Sequence, residues 1–531
     1  MFQLLLLVAV VLLIKFIYNE GYKNENFFKE KGIKFIKPKF IVGNSDNLFT
    51  RKQTSAEFFV NIYNYYPNEK LVGLFGFRQP MLLVRDPELL KQLTVKEFDH
   101  FVNHRDIMPT EGEPLFAKSL ILLRGEEWRE MRATLSPAFT GSKMRLMFEL
   151  VSECGKQMAN FVMKETEAKG IQTYEMKDFF SRTGNDIIAT CAFGIQVNSL
   201  KDRENVFFLK GRDMTNFMKF STFIKFIIFM TIPKLLLLFG IKIISESVTG
   251  YFKKVILDSM DYREKNHIVR PDMINLLMEA KKGKLSHQAT EYPDSEGFAT
   301  VEECNIGKRE PKKVLDDDDI VAQCFLFFFG GFDTVSTALS FLSYELAVNT
   351  EVQERLFQEV LETSRELGEK SLNYDTIQKM KYMDMVVSEL LRMWPPIPLA
   401  DRLCTKEFVF NYDNNSTYKF EKGDIIFTSI YGFHHDPEYF PNPSKFDPER
   451  FNEENRHEII PGTYLPFGIG PRNCIGSRFA LMEVKALIYY ILLNFKIEPN
   501  EKTQIPLKLT KNPVILSEKG IWVQLTPRLK L

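Results

Sequence analysis

The segment Phe467-Gly-Ile-Gly-Pro-Arg-Asn-Cys474-Ile-Gly476 constrains this chain most, because it commits a cysteine to a loop that few sequences could trace. Gly468, Gly470 and Gly476 supply unusual dihedrals and small size. The apolar run SRFALMEVKALIYYILL follows, which predicts Cys474 at the start of a helix. Free backbone N–H groups and the positive end of a helix dipole favour a thiolate there. A rigid loop, small neighbours and N–H donors are what a thiolate needs when it holds iron against a flat macrocycle. A structural cysteine beside a glycine turn is the alternative.

Other segments carry polar groups at spacings that matter. Glu389-Leu-Leu-Arg392 sets opposite charges at i, i+3 on one helix face, a spacing that ordinary surface pairs share. Gly330-Gly331-Phe332-Asp333-Thr334 lies inside a long apolar helix, where two glycines weaken the helix and invite a local distortion. Thr334 can then bind water or dioxygen as well as its own backbone. Asp333 offers an ionisable group for moving protons. Trp128-Arg-Glu-Met-Arg132 brings an aromatic ring and a cation onto one helix face.

Together, and in their order along the chain, these segments resemble the cytochrome P450 family. FGIGPRNCIG fits the family's cysteine-ligand loop F-x-x-G-x-R-x-C-x-G, and GGFDT resembles its oxygen-activation motif. Glu389 and Arg392 match its E-x-x-R pair, joined by Arg450 of the P-E-R-F element at Pro448–Phe451. The chain departs from the pattern at Val335, where family members usually carry Thr or Ser, with Ser336 next. The resemblance implies a mostly α fold with a small β region, the cytochrome P450 fold with an N-terminal transmembrane anchor helix. It implies haem b, iron protoporphyrin IX, with Cys474 as the metal ligand and Trp128, Arg132, Arg402, Phe467 and Arg472 as further cofactor-binding residues. Arginine suits the two haem propionates because its planar fork matches a carboxylate; His104 is a further candidate, or a surface histidine. Thr334 and Asp333 are the implied catalytic residues. Glu389–Arg392–Arg450 is expected as a buried, structural charge network.

The ends of the chain bear on location. Residues 2–14 are apolar apart from Gln3, and apolar character resumes after Lys15 through Tyr18. That length is close to the shortest span that crosses a bilayer. No charge beyond the amino terminus precedes it and no small-x-small site follows, which disfavours a cleaved signal. Seven lysines between Lys15 and Lys39 face three glutamates, so the body is expected on the cytosolic side. The expected organisation is an anchor over residues 1–18, a basic, proline-containing hinge over 19–43, and a haem-thiolate catalytic domain over 44–531. Six cysteines without a C-x-x-C pair fit a reducing compartment. With 69 basic and 69 acidic residues, no nucleic-acid partner is expected. The 48 phenylalanines suggest a large apolar core and an apolar pocket.

Helical patterns dominate, at 56–66, 87–97, 128–136, 142–164, 179–191, 321–348, 351–367 and 474–495. Short strands are expected at 71–77, 81–84, 408–412, 425–429, 514–516 and 522–525. Residues 281–313 read as a long solvated loop, and Asp316–Asp319 as charges offsetting the next helix dipole. The greasy stretch 217–239, broken by three lysines and Pro233, reads as an amphipathic membrane-surface segment or as core helices. Arg129, Lys143, Arg145 and Arg478 are candidates for a basic face toward an electron donor. The family likeness further implies electrons from NADPH through NADPH–cytochrome P450 reductase, cytochrome b5 as a second partner, and an endoplasmic reticulum membrane location. Details such as KPKF and FFFGGFDTVSTALSF look most like the insect microsomal members that metabolise xenobiotics. A hormone, pheromone or fatty-acid hydroxylase, a haem-thiolate isomerase or dehydratase, and a non-catalytic haem or ligand-binding protein are the alternatives.

Overall fold

The computed structural model describes residues 24–528 except 25, 41, 107, 109, 111, 216–218, 232, 285–296, 302–303, 310–312, 414–415 and 513, with Val11, Lys15 and Tyr18 besides. The expected anchor helix and the Asn414-Asn415 turn therefore fall outside the described residues. Within the segment expected as a hinge, the chain is packed rather than free. Phe28 is fully buried, and its ring fills the space where a side chain at Gly73 would go. Ile36 N–H donates to the Gly73 carbonyl at 2.9 Å.

Twelve helices organise the body: α1 (Ser55–Asn64), α2 (Gly125–Leu135), α3 (Gly141–Lys169), α4 (Met176–Ala192), α5 (Val206–Thr215), α6 (Phe220–Thr231), α7 (Glu246–Asn266), α8 (Met273–Lys281), α9 (Asp317–Val348), α10 (Thr350–Leu367), α11 (Lys381–Met393) and α12 (Ser477–Asn494). The long helix α9 is the axis, and α4, α5, α7, α10, α11 and α12 all pack on it. Its start is fixed by a capping box, in which Asp316 and Asp319 satisfy each other's backbone N–H. That is the dipole-offsetting role expected of the aspartate run. Among the described residues α9 is the one helix long and apolar enough to cross a membrane. It is instead the core of the fold, and most of its residues are buried.

Three small sheets flank the helices. Strands β1 (Leu71–Gly76), β2 (Gln79–Val84), β4 (Leu399–Leu403) and β7 (Ile425–Ser429) form the order β1-β2-β7-β4, with β2 and β7 parallel and the outer pairs antiparallel. Strands β3 (Gln172–Glu175), β8 (Phe495–Glu498) and β9 (Trp522–Pro527) form β3-β9-β8, and β5 (Phe408–Asp413) pairs β6 (Ser416–Phe420) as a hairpin.

Some local expectations are corrected. The helix expected over 87–97 is an α-turn, Pro87–Lys91, that widens into a π turn over Gln92–Lys96. Residues 514–516 are not a strand; an isolated bridge joins Leu509 to Ser517 nearby. The loop expected to be solvated is partly core: Ala299 and Ile306 are buried, and Phe298 packs on Phe451 and Tyr464. Its few apolar residues find the body because Phe298 N–H is held by the Asp384 carboxylate at 2.8 Å.

Candidate active site

The cysteine loop runs into α12 with its backbone bent as the glycines allow. Gly468 and Gly470 both have φ near +75°, at +78° and +75°. A Cβ at Gly470 would stand 2.1 Å from the Thr94 carbonyl, so only glycine fits against the π turn Gln92–Lys96. Cys474 N–H donates to the Phe467 carbonyl at 2.9 Å, closing the loop on itself. The helix begins at Ser477 with Gly476 as its cap, three residues later than expected, so Cys474 precedes the helix. The consequence intended for a helix start still holds: the Gly476 N–H points to the sulfur. Burial pushes the Cys474 thiol up, and that N–H and the Arg132 charge pull it back. Cys474 is nonetheless exposed between buried Asn473 and Ser477. Burial dominating its ionisation and surface remaining accessible are both true of a sulfur that faces a space enclosed by the fold.

Arginines tie this loop to the rest of the body. Arg132 in α2 donates to the Asn473 carbonyl at 2.8 Å and to its Oδ1 at 2.9 Å. Arg472 donates to the carbonyls of Val102, Leu120 and Leu123, which anchors the 101–123 segment beside the loop, and its guanidinium lies 4.2 Å from the Trp128 ring centroid. Arg402 in β4 donates to the carbonyls of Asp401 and Ile469, while its Nε is buried with no hydrogen-bond partner. Burial draws Arg402 down to about 10 against the pull of Asp401, and burial followed by the charges of Arg402 and Arg132 lowers Arg472.

The anionic counterweight is small. Asp401 answers His104, whose Nδ1 is 3.6 Å from Oδ1 and 3.1 Å from the Asp401 carbonyl, and accepts the Arg105 N–H at 2.8 Å. Burial alone would raise Asp401, but His104 and Arg105 outweigh it and hold the carboxyl at about 2. His104 is thus a partner of Asp401 rather than a surface histidine. Among the described residues, buried Arg402 and Arg472 share one carboxylate, that of Asp401, and Arg402 keeps an orphaned donor. That excess suits a group bearing two carboxylates, and Cys474 with its N–H donor suits the iron of the same group. The residues fit haem.

Helix α9 stands across from the loop. Phe139 lies between them: a Cβ at Gly476 would be 3.8 Å from its ring, and its ring packs edge-on against Phe327 at 5.4 Å. The two glycines of α9 do different work. A Cβ at Gly331 would come within 2.5 Å of Ile188 Cδ1, so Gly331 lets α4 pack closely, whereas a Cβ at Gly330 would meet nothing within 4 Å. The helix assignment is continuous through both. Thr334 Oγ1 accordingly donates to the Gly330 carbonyl at 2.6 Å, leaving its lone pairs to accept. Asp333 points the other way and pairs with Lys177 at 2.7 Å, a contact that motif reading missed. A lysine in the first turn of a helix was the available signal, because the dipole disfavours it.

The structural charge network forms as expected. Arg392 and Glu389 are fully buried and joined by two bonds, Nε–Oε2 at 2.7 Å and Nη2–Oε1 at 2.9 Å. Arg450 Nε stands 3.4 Å from Glu389 Oε1 without hydrogen-bond geometry, and the closer third partner is the Asp447 N–H at 2.9 Å. Of the basic face, Arg129 is paired with Asp99 and Glu126, and Arg145 with Asp375.

Comparison with known proteins agrees over nearly the full length. The family model "Cytochrome P450" matches residues 34–525. Cytochrome P450 9e2 of Blattella germanica is 45% identical, covering 98% of this chain and 97% of its own. Probable cytochrome P450 9f2 of Drosophila melanogaster is 42% identical, covering 96% and 97%. Cytochrome P450 6j1 of Blattella germanica is 34% identical, covering 94% and 93%.

Proposed function

This chain belongs to the cytochrome P450 family and is a haem-dependent monooxygenase, and we propose that it oxidises lipophilic small molecules, foremost xenobiotics. The observation that carries the reading is the pairing of an accessible Cys474 beneath an N–H donor with buried Arg402 and Arg472, the first keeping an orphaned Nε. In this reading Cys474 ligates the iron, and Trp128, Arg132, Arg402, Phe467 and Arg472 hold the macrocycle and its propionates. Bound there, haem supplies dioxygen activation through a thiolate-ligated iron.

The chain's own residues do the rest. Arg472 and Arg402, their side chains fixed by bonds to the Val102 and Ile469 carbonyls, would set their positive charge toward the group's carboxylates. Buried Phe116 packs edge-on against Phe325 and Phe329 of α9, at 5.1 and 5.5 Å, and steadies the half-buried Phe329 ring as an apolar wall for a substrate. Asp333 exchanges protons with water and Thr334 accepts a hydrogen bond from the water beside it, which delivers protons to the reacting side of α9. Likeness to relatives named in the insect P450 9 and 6 series supports xenobiotics over a single endogenous substrate. Electrons are proposed to come from NADPH through the flavoprotein NADPH–cytochrome P450 reductase, with cytochrome b5 as a second donor.

An endoplasmic reticulum location with a cytosolic body is part of the same proposal. Leu237, Leu238, Phe239 and Ile241 form an exposed apolar tip after α6, Leu238 at 78% exposure, which suits contact with a membrane surface. The test is reconstitution of the full chain with reductase and NADPH in phospholipid vesicles, using lipophilic probes under ¹⁸O₂. One labelled oxygen per product molecule, dependent on reductase, is expected. Turnover of a peroxide substrate without reductase indicates an isomerase or dehydratase instead.

A further inference from the structure

Lys177 stands where helix physics disfavours it. It is the second residue of α4, at the positive end of that helix dipole, and burial pulls its ammonium below the usual lysine range. What offsets these costs is α9. Lys177 Nζ lies 2.7 Å from Asp333 Oδ1, 2.8 Å from the Asp333 carbonyl, 2.8 Å from Ser336 Oγ and 2.7 Å from Thr337 Oγ1. Three ammonium protons therefore serve four acceptors on one turn of the helix. The other charge acting on Lys177 is Glu175, the cap residue of α4.

The two Asp333 oxygens are left unequal. Oδ1 is clamped by Lys177, while Oδ2 takes no hydrogen bond among the described residues. The Asp333 side chain keeps 52% of its surface accessible against 23% for Lys177. Water thus reaches the carboxylate past the clamp. The Ser336 and Thr337 hydroxyls converge on the Asp333 carbonyl, at 3.1 and 2.7 Å, and stiffen the same turn. Thr334, the adjacent residue, donates to the Gly330 carbonyl and keeps its lone pairs free to accept.

We propose that Lys177 is a positioning residue for proton delivery: by holding Asp333 Oδ1 against α9 it presents Oδ2 to water as the point where protons enter. A proton arrives at Oδ2 from one water molecule and leaves to a second water that donates to Thr334 Oγ1; Lys177 keeps its three protons throughout. The inference rests on the reading of Asp333 and Thr334 as the proton relay.

The test compares the holoenzyme with Lys177→Met, Lys177→Arg, Asp333→Asn and the Lys177→Met/Asp333→Asn double variant. Product formed per NADPH oxidised, peroxide released and the solvent deuterium isotope effect are measured, together with urea unfolding midpoints. Lys177→Met is expected to slow product formation about ten-fold, less than the roughly 10²–10⁴-fold of a proton-transferring group itself because Asp333 remains, and to raise both peroxide release and the isotope effect. Lys177→Arg should restore most of the loss, and the double variant should be no slower than Asp333→Asn. Unfolding midpoints should be non-additive in the same cycle, reporting the ion pair independently of turnover. An impaired Asp333→Asn beside an unimpaired Lys177→Met overturns the proposal and leaves the relay standing. Additive rate losses overturn it too, because they mark a structural role. An unimpaired Asp333→Asn removes the relay and the proposal together.

Discussion

Replacing Arg392 by methionine probes the buried charge network most severely. The substitution removes both bonds to Glu389, at 2.7 and 2.9 Å, and leaves that carboxylate fully buried. It also removes the donors to the carbonyls of His434 and Pro443, each at 2.8 Å. Stranding a buried charge costs about 3–5 kcal/mol, and an unsatisfied buried carbonyl about 1–3 kcal/mol. Because the losses overlap, about 5–8 kcal/mol is expected, against a total stability on the order of 5–15 kcal/mol. Arg450 compensates only in part: its Nη2 is held by the Asn442 carbonyl at 3.0 Å, and its Nε stands 3.4 Å from Glu389 without hydrogen-bond geometry. Urea unfolding of the haem protein, followed by far-ultraviolet circular dichroism and Soret absorbance, measures the loss; failure to accumulate folded protein is the extreme case of it. Arg392→Lys, which keeps the charge and loses the fork, should cost about 2–3 kcal/mol. Glu389→Met/Arg392→Met should be less harmful than Arg392→Met alone by about 2 kcal/mol, because no carboxylate is stranded. An Arg392→Met variant within about 1 kcal/mol of wild type would refute the reasoning, as would a double variant as costly as the two singles summed.

Two further outcomes follow from the electrostatics. Burial first, set against hydrogen bonds from Trp394 and Asn349, pushes Glu345 up to about 7 from an ordinary 4.5. Its contribution to stability is therefore complete below 4.5 and is lost as pH rises through about 7. Urea midpoints across that window should fall with pH, by up to about 1.4 kcal/mol per unit, and Glu345→Gln should flatten the slope. Arg402→Leu should stabilise the haem-free chain, because it removes a buried cation with an orphaned Nε, yet weaken haem retention about ten-fold or more. Haem transfer to apomyoglobin and urea unfolding of the haem-free chain read the two effects separately.

The long helices were legible because a 3.6-residue apolar period persists for several turns, as in α3, α9 and α12. Their ends were less so. The start of α12 was read three residues early, since Gly476 is compatible with either a loop or a cap. Strands β3, β4, β6 and β8 are not legible because four or five residues carry too little alternation; β8 continues directly from α12 and pairs with β9. Cys474, Glu389 and Arg392 were readable because their neighbours are chemically demanding. Lys177 was not, because its meaning depends on a helix more than 150 residues away in sequence. The double glycine was read as a weak point in α9. It serves close packing at Gly331 and open space at Gly330, a distinction that needs the position of Ile188.

The central claim is that Cys474 holds the iron, and it is tested most directly by the absorption of the dithionite-reduced protein under carbon monoxide, wild type beside Cys474→Ala. The account predicts a strongly red-shifted Soret band in wild type that is lost in the variant. A band typical of histidine-ligated haem in wild type, or a red-shifted band that survives Cys474→Ala, would contradict it.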